Sequence, residues 1–449
     1  MTQIEKARKG IITEEMRYVA DKESLDPSDL MELVAKGLVV IPANPNHSIE
    51  RFTGIGQGLS VKVNVNLGTS YDYVNLDEEI QKLQVAHEYG ADTVMDLSTG
   101  GDLESIMKTL ITNSKVPLGT VPIYEAEFMA AKKKGSFLKM SADDLFEVIE
   151  EHGKRGVDFI TVHCGVTLDS LRRYTNSSRT TGIVSRGGGL IAAWMIYNEQ
   201  ENPLYKYFDR LLEIAREYDM TLSLGDGLRP GSISDSTDRL QIQELIILGE
   251  LVEKARNAGV QVMVEGPGHI PLNEIMTNVQ LQKKLCKGAP FYILGMLPCD
   301  TAAGFDHIAG AIGGAISGMY GADMLCYITP AEHLGLPTVE QVKDGLIAFK
   351  IAAHVADIAR GNKKALERNL LMSEARYKLD WERQFELALF PKDAKAIHDS
   401  RRSGTKACSM CGPFCPMNLV ENTLRNKKSR NEYRFIREII PQEGIESKI

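Results

Sequence analysis

The segment Cys408-Ser-Met-Cys411-Gly-Pro-Phe-Cys415 places three thiols within eight residues of a 449-residue chain. Thiolates at this density hold a soft metal more readily than they pack a core. Three is one fewer than the four ligands that close a structural zinc site or a fully ligated iron–sulfur cluster. The spacing therefore points to a [4Fe–4S] cluster with three protein ligands, whose fourth iron takes a small molecule such as S-adenosylmethionine. The spacing leaves two alternatives open: a zinc site completed by a distant residue, or a chance group of free thiols.

Other residue types that do chemistry are spread along the chain. Glu265-Gly-Pro-Gly-His269 follows an apolar run and presents a carboxylate and an imidazole on one rigid turn, and His333 follows a later run. Two such imidazoles suit a divalent metal, zinc or iron, with open positions for small ligands, although each could instead bond locally. Asp226-Gly227-Leu228-Arg229 offers an anion and a cation beside backbone that a ligand can approach closely. Ser185-Arg186-Gly187-Gly-Gly189 leads into a helical stretch, so its amides form a phosphate seat or simply a tight turn. A phosphorylated, sugar-bearing molecule would use both. Glu265, His163 and Asp226 are the candidates for proton transfer. Gly313-Gly314, with Ala315 and Ser317, reads as close helix packing.

The elements that position these groups follow a regular pattern. Short β-branched runs at 61–66, 93–96, 117–123, 159–163, 182–185, 221–225, 261–265, 291–294 and 324–328 alternate with helical stretches. Nearly continuous apolar strands between helices predict a parallel sheet covered by helices, and eight such units fit an α/β fold of the (β/α)8 TIM-barrel type. One of the nine runs is then surplus. Polar groups recur at the C-terminal ends of the runs: Asn64 and Asn66, Met95-Asp96, Tyr124, His163, Ser185 to Gly187, Asp226 to Arg229, Glu265 and Tyr292. In a barrel those ends converge on one face. An open doubly wound sheet is the other possibility, but no Gly-rich dinucleotide turn follows the first run.

The expected organisation is an N-terminal cap (1–60), the barrel (61–335), a C-terminal three-helix unit (336–402) and a cysteine-bearing arm with a tail (403–449). Thr13, Asp26 and Thr338, the last with Gln341 in a capping box, mark helix starts. The polar stretch 426–431 reads as a mobile tail.

The formal charge of −8, with only short basic runs such as Lys132-Lys133-Lys134, argues against a nucleic-acid partner. No apolar stretch reaches the length of a membrane span, and the charged N-terminus lacks a signal-peptide core. Seven cysteines, four of them dispersed (Cys164, Cys286, Cys299, Cys326), do not make a disulfide framework. A cytoplasmic protein with reduced thiols is expected.

The motifs Lys62-Val-Asn-Val-Asn-Leu-Gly68, Met95-Asp-Leu-Ser-Thr-Gly-Gly101, Gly119-Thr-Val-Pro-Ile-Tyr124, Gly182-Ile-Val-Ser-Arg-Gly-Gly188, Gly225-Asp-Gly-Leu-Arg-Pro-Gly231, Glu265-Gly-Pro-Gly-His269, Pro330-Ala-Glu-His-Leu-Gly-Leu-Pro337 and Cys408-Ser-Met-Cys411 together closely resemble the phosphomethylpyrimidine synthase family. The resemblance runs along essentially the whole chain. It implies a radical S-adenosylmethionine lyase with a (β/α)8 barrel, a C-terminal helical domain, and 5-aminoimidazole ribotide as substrate. It also implies a homodimer in which the cysteine arm of one subunit closes the barrel of the other, and a low-potential electron donor of ferredoxin or flavodoxin type. By position, Asn66, Met95, Tyr124, His163, Ser185, Arg186, Gly187, Asp226, Gly227, Leu228, Arg229, Glu265 and Tyr292 would line the ribotide site. His269 and His333 would hold a divalent metal, and Cys408, Cys411 and Cys415 would ligate the cluster.

There are departures. The cysteines follow C-x2-C-x3-C where many relatives have C-x2-C-x4-C. Cys299, Ala303 and Phe305 stand where pyrimidine synthases usually carry Thr, Pro and Tyr, and Val65 replaces Ala. Changes at the substrate wall with the radical machinery intact favour the 5-hydroxybenzimidazole synthase paralogue, of cobalamin lower-ligand biosynthesis, over the synthase of thiamine biosynthesis that makes 4-amino-5-hydroxymethyl-2-methylpyrimidine phosphate. A zinc-dependent barrel hydrolase and a non-catalytic ligand-binding regulator are the rivals of other classes.

Overall fold

The computed structural model describes residues 1–420 and 423. The chain forms two compact units, 1–362 and 363–449.

In the first unit, three short helices, Gln3–Arg8, Glu14–Glu23 and Pro27–Ala35, precede an antiparallel pair, β1 (Val39–Val40) and β2 (Ile55–Gly56). Thr13 and Asp26 cap the second and third helices through their side-chain oxygens, as their sequence positions predict. Eight parallel strands follow: β3 (Lys62–Leu67), β4 (Thr93–Asp96), β5 (Leu118–Thr120), β6 (Phe159–Val162), β7 (Thr221–Leu224), β8 (Val262–Gly266), β9 (Phe291–Ile293) and β10 (Met324–Cys326). They close in chain order, with β10 returning beside β3. Nearly every strand residue is buried, because helices cover the outside and side chains fill the inside. The predicted barrel is therefore the observed one.

The surplus run is 182–185. Gly182 lies at φ +73°, and the Ser185 hydroxyl accepts the Gly188 amide (3.2 Å) as N-cap of helix Arg186–Asn198. The apolar pair Ile183-Val184 thus leads into a helix without pairing with any strand.

Helix Val339–Ala359 starts at the Thr338–Gln341 capping box and packs on helix Asp306–Tyr320. Small residues permit that contact and the one to the barrel. A Cβ on Gly318 would lie 2.6 Å from Ala356 Cβ, and one on Gly313 would lie 1.9 Å from the Met296 carbonyl oxygen. Among the described residues no helix is long and apolar enough to cross a membrane.

The second unit contains helices Lys363–Lys378, Trp381–Leu387 and Pro391–Ser400. Leu379 at φ +51° and the Asp380 N-cap divide what its periodicity presents as one helix. The rings of Trp381 and His398 meet at 4.4 Å between centroids. The cysteine segment follows, with a 3-10 turn at Gly412–Phe414. The stretch 426–431 lies outside the described residues.

Candidate active site

At the C-terminal ends of the strands, side chains from around the barrel enclose a cavity of about 80 Å³. Asn66 and Met95 reach it from β3 and β4, Tyr124 from the helix after β5, and His163 from the end of β6. Asp226 and Arg229 follow β7, Glu265 lies on β8, and Tyr292 lies on β9. These eight predicted residues meet in one place. A groove of about 680 Å³ on the outer helices is lined by surface groups such as Lys132, Glu147 and Arg155 and contains none of the eight.

The cavity's charges are few, with Asp226 and His163 buried and Arg229 and Glu265 partly so. Glu265 Oε1 accepts hydroxyl hydrogen bonds from Thr161 (2.6 Å) and Ser223 (2.8 Å). Asp226 Oδ1 accepts from Arg229 (3.1 Å), while its buried Oδ2 has no hydrogen-bond partner. Burial pushes the pKa of Asp226 up against the pull of Arg229, and the Glu265 charge adds to the rise. Burial also pushes Glu265 up, opposed by its two hydroxyl donors and Arg229. One guanidinium thus faces two carboxyls that titrate as a pair. Burial, then the Arg229 charge, lowers the His163 pKa to about 3, so the imidazole is neutral at pH 7. Its buried Nδ1 has no hydrogen-bond partner.

The opposite wall is an uncharged network. Asn64 Nδ2 donates to the Tyr292 hydroxyl and to Asn66 Oδ1, both at 2.8 Å, and Asn66 Nδ2 donates to Cys326 Sγ at 3.1 Å. Burial holds the Cys326 thiol protonated, with its pKa pushed up to about 12.

The remaining predicted residues lie around the cavity. The Arg186 guanidinium lies over the Tyr124 ring at 5.1 Å from its centroid. Ser185 is a helix cap. Gly187 and Gly188 are close-approach positions: a Cβ on the first would lie 2.1 Å from His163 Cε1, and one on the second 2.3 Å from the Gly227 carbonyl oxygen. Leu228 points into the hydrophobic core. Cavity residues that the sequence reading missed include Thr161, Leu97, Val121 and Cys326. Thr161 shares the inward face of its strand with His163, two positions on, so the period-2 rule could have found it.

His269 and His333 lie apart from that cavity but together, their ring centroids 5.2 Å apart. Each has a carboxylate behind it: His269 Nδ1 lies 2.8 Å from Asp300 Oδ1, and His333 Nδ1 lies 3.5 Å from Asp306 Oδ2. Such carboxylate–imidazole pairs orient metal-binding histidines. Among the described residues no three His, Cys, Asp or Glu side chains already form a metal cage.

The three arm cysteines are free thiols on one compact turn. The Gly412 amide donates to the Cys408 carbonyl (2.9 Å), and the Phe414 amide to that of Cys411 (3.0 Å). Gly412 takes φ +51° to make the bend. Cys415 is buried among Leu379 and Ala407, and Cys408 and Cys411 are half-buried. Three thiols within eight residues are the donor type and number that such a cluster takes, although their side chains do not converge on one point in this structure.

Residues 2–422 match the radical SAM ThiC family. The chain belongs to that family. ThiC-family membership makes it a radical SAM enzyme that uses a [4Fe–4S] cluster and S-adenosylmethionine, and it displaces the zinc-hydrolase and regulator alternatives. The chain is 72% identical over 428 residues to a protein of Thermus thermophilus named phosphomethylpyrimidine synthase, covering 95% of this chain and 98% of that one. Proteins of the same name from Caldanaerobacter subterraneus (57% identical, 94% and 98% covered) and Dehalococcoides mccartyi (55%, 96% and 100%) are also similar.

These relatives overturn the expectation of a 5-hydroxybenzimidazole synthase, and the structure gives the physical reason. None of Cys299, Ala303 or Phe305 lines the cavity. Cys299 Sγ contacts the Thr301 hydroxyl at 3.2 Å, and Phe305 is 65% exposed. Val65 sits in the hydrophobic core, on the strand face opposite Asn66. The departures therefore do not reshape this cavity.

Proposed function

We propose that this chain is a phosphomethylpyrimidine synthase, rearranging 5-aminoimidazole ribotide into 4-amino-5-hydroxymethyl-2-methylpyrimidine phosphate for thiamine biosynthesis in the cytoplasm. The observation that carries the reading is the convergence of Asn66, His163, Asp226, Arg229 and Glu265 on one buried cavity, in a chain 72% identical to a protein of that name. When bound, the cluster and S-adenosylmethionine supply one-electron chemistry, with a low-potential reductant as electron source.

The chain's own residues do the rest. Arg186, held over Tyr124, and the amides at the start of helix Arg186–Asn198 attract the phosphate. Asn66 and Tyr292 supply hydrogen bonds to the uncharged part of the substrate. Neutral His163 lines the cavity wall with its ring packed against Gly187. The Asp226–Glu265 pair takes up and returns protons during ring rebuilding, because one member is held partly protonated beside the other. His269 and His333, each backed by a carboxylate, would hold a divalent metal, and the protein works as a homodimer.

The test is anaerobic reconstitution of the full-length protein with iron and sulfide, followed by incubation with ribotide, S-adenosylmethionine and a chemical reductant. Mass spectrometry is expected to find a phosphorylated pyrimidine together with 5′-deoxyadenosine. An unphosphorylated benzimidazole, or no consumption of the ribotide, would reject the reading.

A further inference from the structure

The loop that delivers Asp226 and Arg229 is fixed from outside the cavity by two buried side chains. Arg179 Nη2 donates to the Leu228 carbonyl (2.5 Å), and its Nη1 donates to the carbonyls of Arg229 (3.3 Å) and Gly182 (3.2 Å). The same guanidinium forms a two-pronged pair with Asp238, at 2.7 and 2.8 Å. From the other side, the Leu228 amide donates to Glu244 Oε2 at 2.7 Å. One residue, Leu228, is thus gripped at its N–H and at its C=O, through the two peptide groups that flank its Cα. Both grips trace to helix Arg239–Asn257: Glu244 lies on it, and Asp238 is its N-cap.

The grip also links two loops. Gly182 begins the segment that leads to Ser185 and Arg186, so one guanidinium holds the backbones of both the Arg186 and the Asp226–Arg229 loops. Neither Arg179 nor Glu244 lines the cavity. The Arg179 side chain is 2% exposed, so the contacts are shielded from water.

We infer that Arg179 and Glu244 form a clamp on the backbone on either side of Leu228 that positions Asp226 and Arg229 for the ribotide. They are positioning residues, acting through backbone and not on substrate. The proposal rests on the functional reading above. Glu244 suits the task because burial, with the nearby Asp226 charge, raises its pKa to about 8, opposed by the Leu228 and Gly227 amides and Arg179. A neutral carboxyl accepts the amide without adding a negative charge behind Asp226 and Glu265. The remaining atom, Oε1, is buried and has no hydrogen-bond partner. A Cβ on Gly227 would meet Val166 Cγ2 at 2.4 Å, Gly188 Cα at 3.1 Å and this oxygen at 3.2 Å, so the glycine sits in a tight pocket beside the carboxyl.

The test uses the full-length reconstituted protein with 5-aminoimidazole ribotide and, separately, S-adenosylmethionine as calorimetric ligands. Glu244→Leu and Arg179→Met are each expected to weaken ribotide binding about tenfold and to lower kcat about 10- to 100-fold. S-adenosylmethionine affinity and the cluster spectrum are expected to stay as in wild type. Glu244→Gln keeps an acceptor for the Leu228 amide and is expected to restore ribotide affinity. Because both residues hold the backbone of Leu228, the double variant is expected to lose little more than either single one. Should Glu244→Leu fail to fold, Arg179→Met and Glu244→Gln still decide. Wild-type ribotide affinity in Arg179→Met, independent losses in the double variant, or no rescue by Gln would each overturn the clamp. Failure of the wild type itself to bind ribotide would reject the functional reading, and the clamp with it.

Discussion

Replacing Ser223 with Ala removes one of the two hydroxyl donors on the Glu265 carboxylate. A hydrogen bond to a charged group is worth about 1.5–3 kcal/mol in a buried site. At ~1.36 kcal/mol per pH unit, its loss raises the Glu265 pKa by roughly 1–2 pH units. The sign follows from which form is stabilised. The hydroxyl favours the anion, so without it the carboxyl keeps its proton to higher pH. The acid limb of kcat/KM for 5′-deoxyadenosine formation is therefore expected to move upward by that amount. Thr161→Val removes the other donor with little change of shape and is expected to act in the same direction. Ser223 and Thr161 are buried, so solvent offers no easy replacement for either donor. Ribotide affinity measured across the same pH range gives a readout independent of turnover. If both variants keep the wild-type acid limb, Glu265 is not the group that the profile reports and the assignment of its ionisation is wrong.

Other outcomes test separate parts of the structure. Asp300→Asn leaves the His269 imidazole without its carboxylate partner and is expected to weaken divalent-metal binding about 10- to 100-fold in a metal titration. Cys408→Ala, Cys411→Ala and Cys415→Ala are each expected to abolish the brown chromophore of the reconstituted protein; an intact spectrum in any of them would remove that thiol from the ligand set. Gly187→Ala drives a methyl into the His163 ring and is expected to destabilise the protein by ~1–3 kcal/mol by denaturant melting while weakening ribotide binding. Asp92 is buried, which pushes its pKa up, yet Lys350 at 2.9 Å, with Lys22 and Lys62, holds it well below the usual carboxylate range. Its stabilising contribution is present above the unfolded-state pKa and is lost as pH falls below about 4. Melting temperature against pH is expected to fall less steeply at the acid end in Asp92→Asn than in wild type.

The barrel was legible because its strands are short, β-branched and buried on both faces, so each reads as an apolar run with a polar residue at its C-terminal end. Ile183-Val184 misled for the same reason, since composition alone does not distinguish a buried strand from an approach to a helix cap. His163, Asp226 and Glu265 stood out as titratable groups at such ends. Thr161 and Cys326 did not, because a lone threonine or cysteine in an apolar run looks like core. The loop carrying Cys299 and Phe305 follows β9 and its cavity residue Tyr292 closely in sequence, yet neither side chain lines the cavity, and no local pattern reveals that. Arg179 and Glu244 act across separations of 49 and 16 residues from Leu228, which no local pattern reveals.

The contacts of Gly187 with His163 and of Gly188 with Gly227 leave no room for even a methyl group on that flank of the barrel mouth. Room for a changed side chain therefore lies on the other flank, where Asn66, Met95 and Cys326 meet the cavity through side chains and not through main chain. A search for altered products would do best to randomise that second flank and leave the glycines untouched.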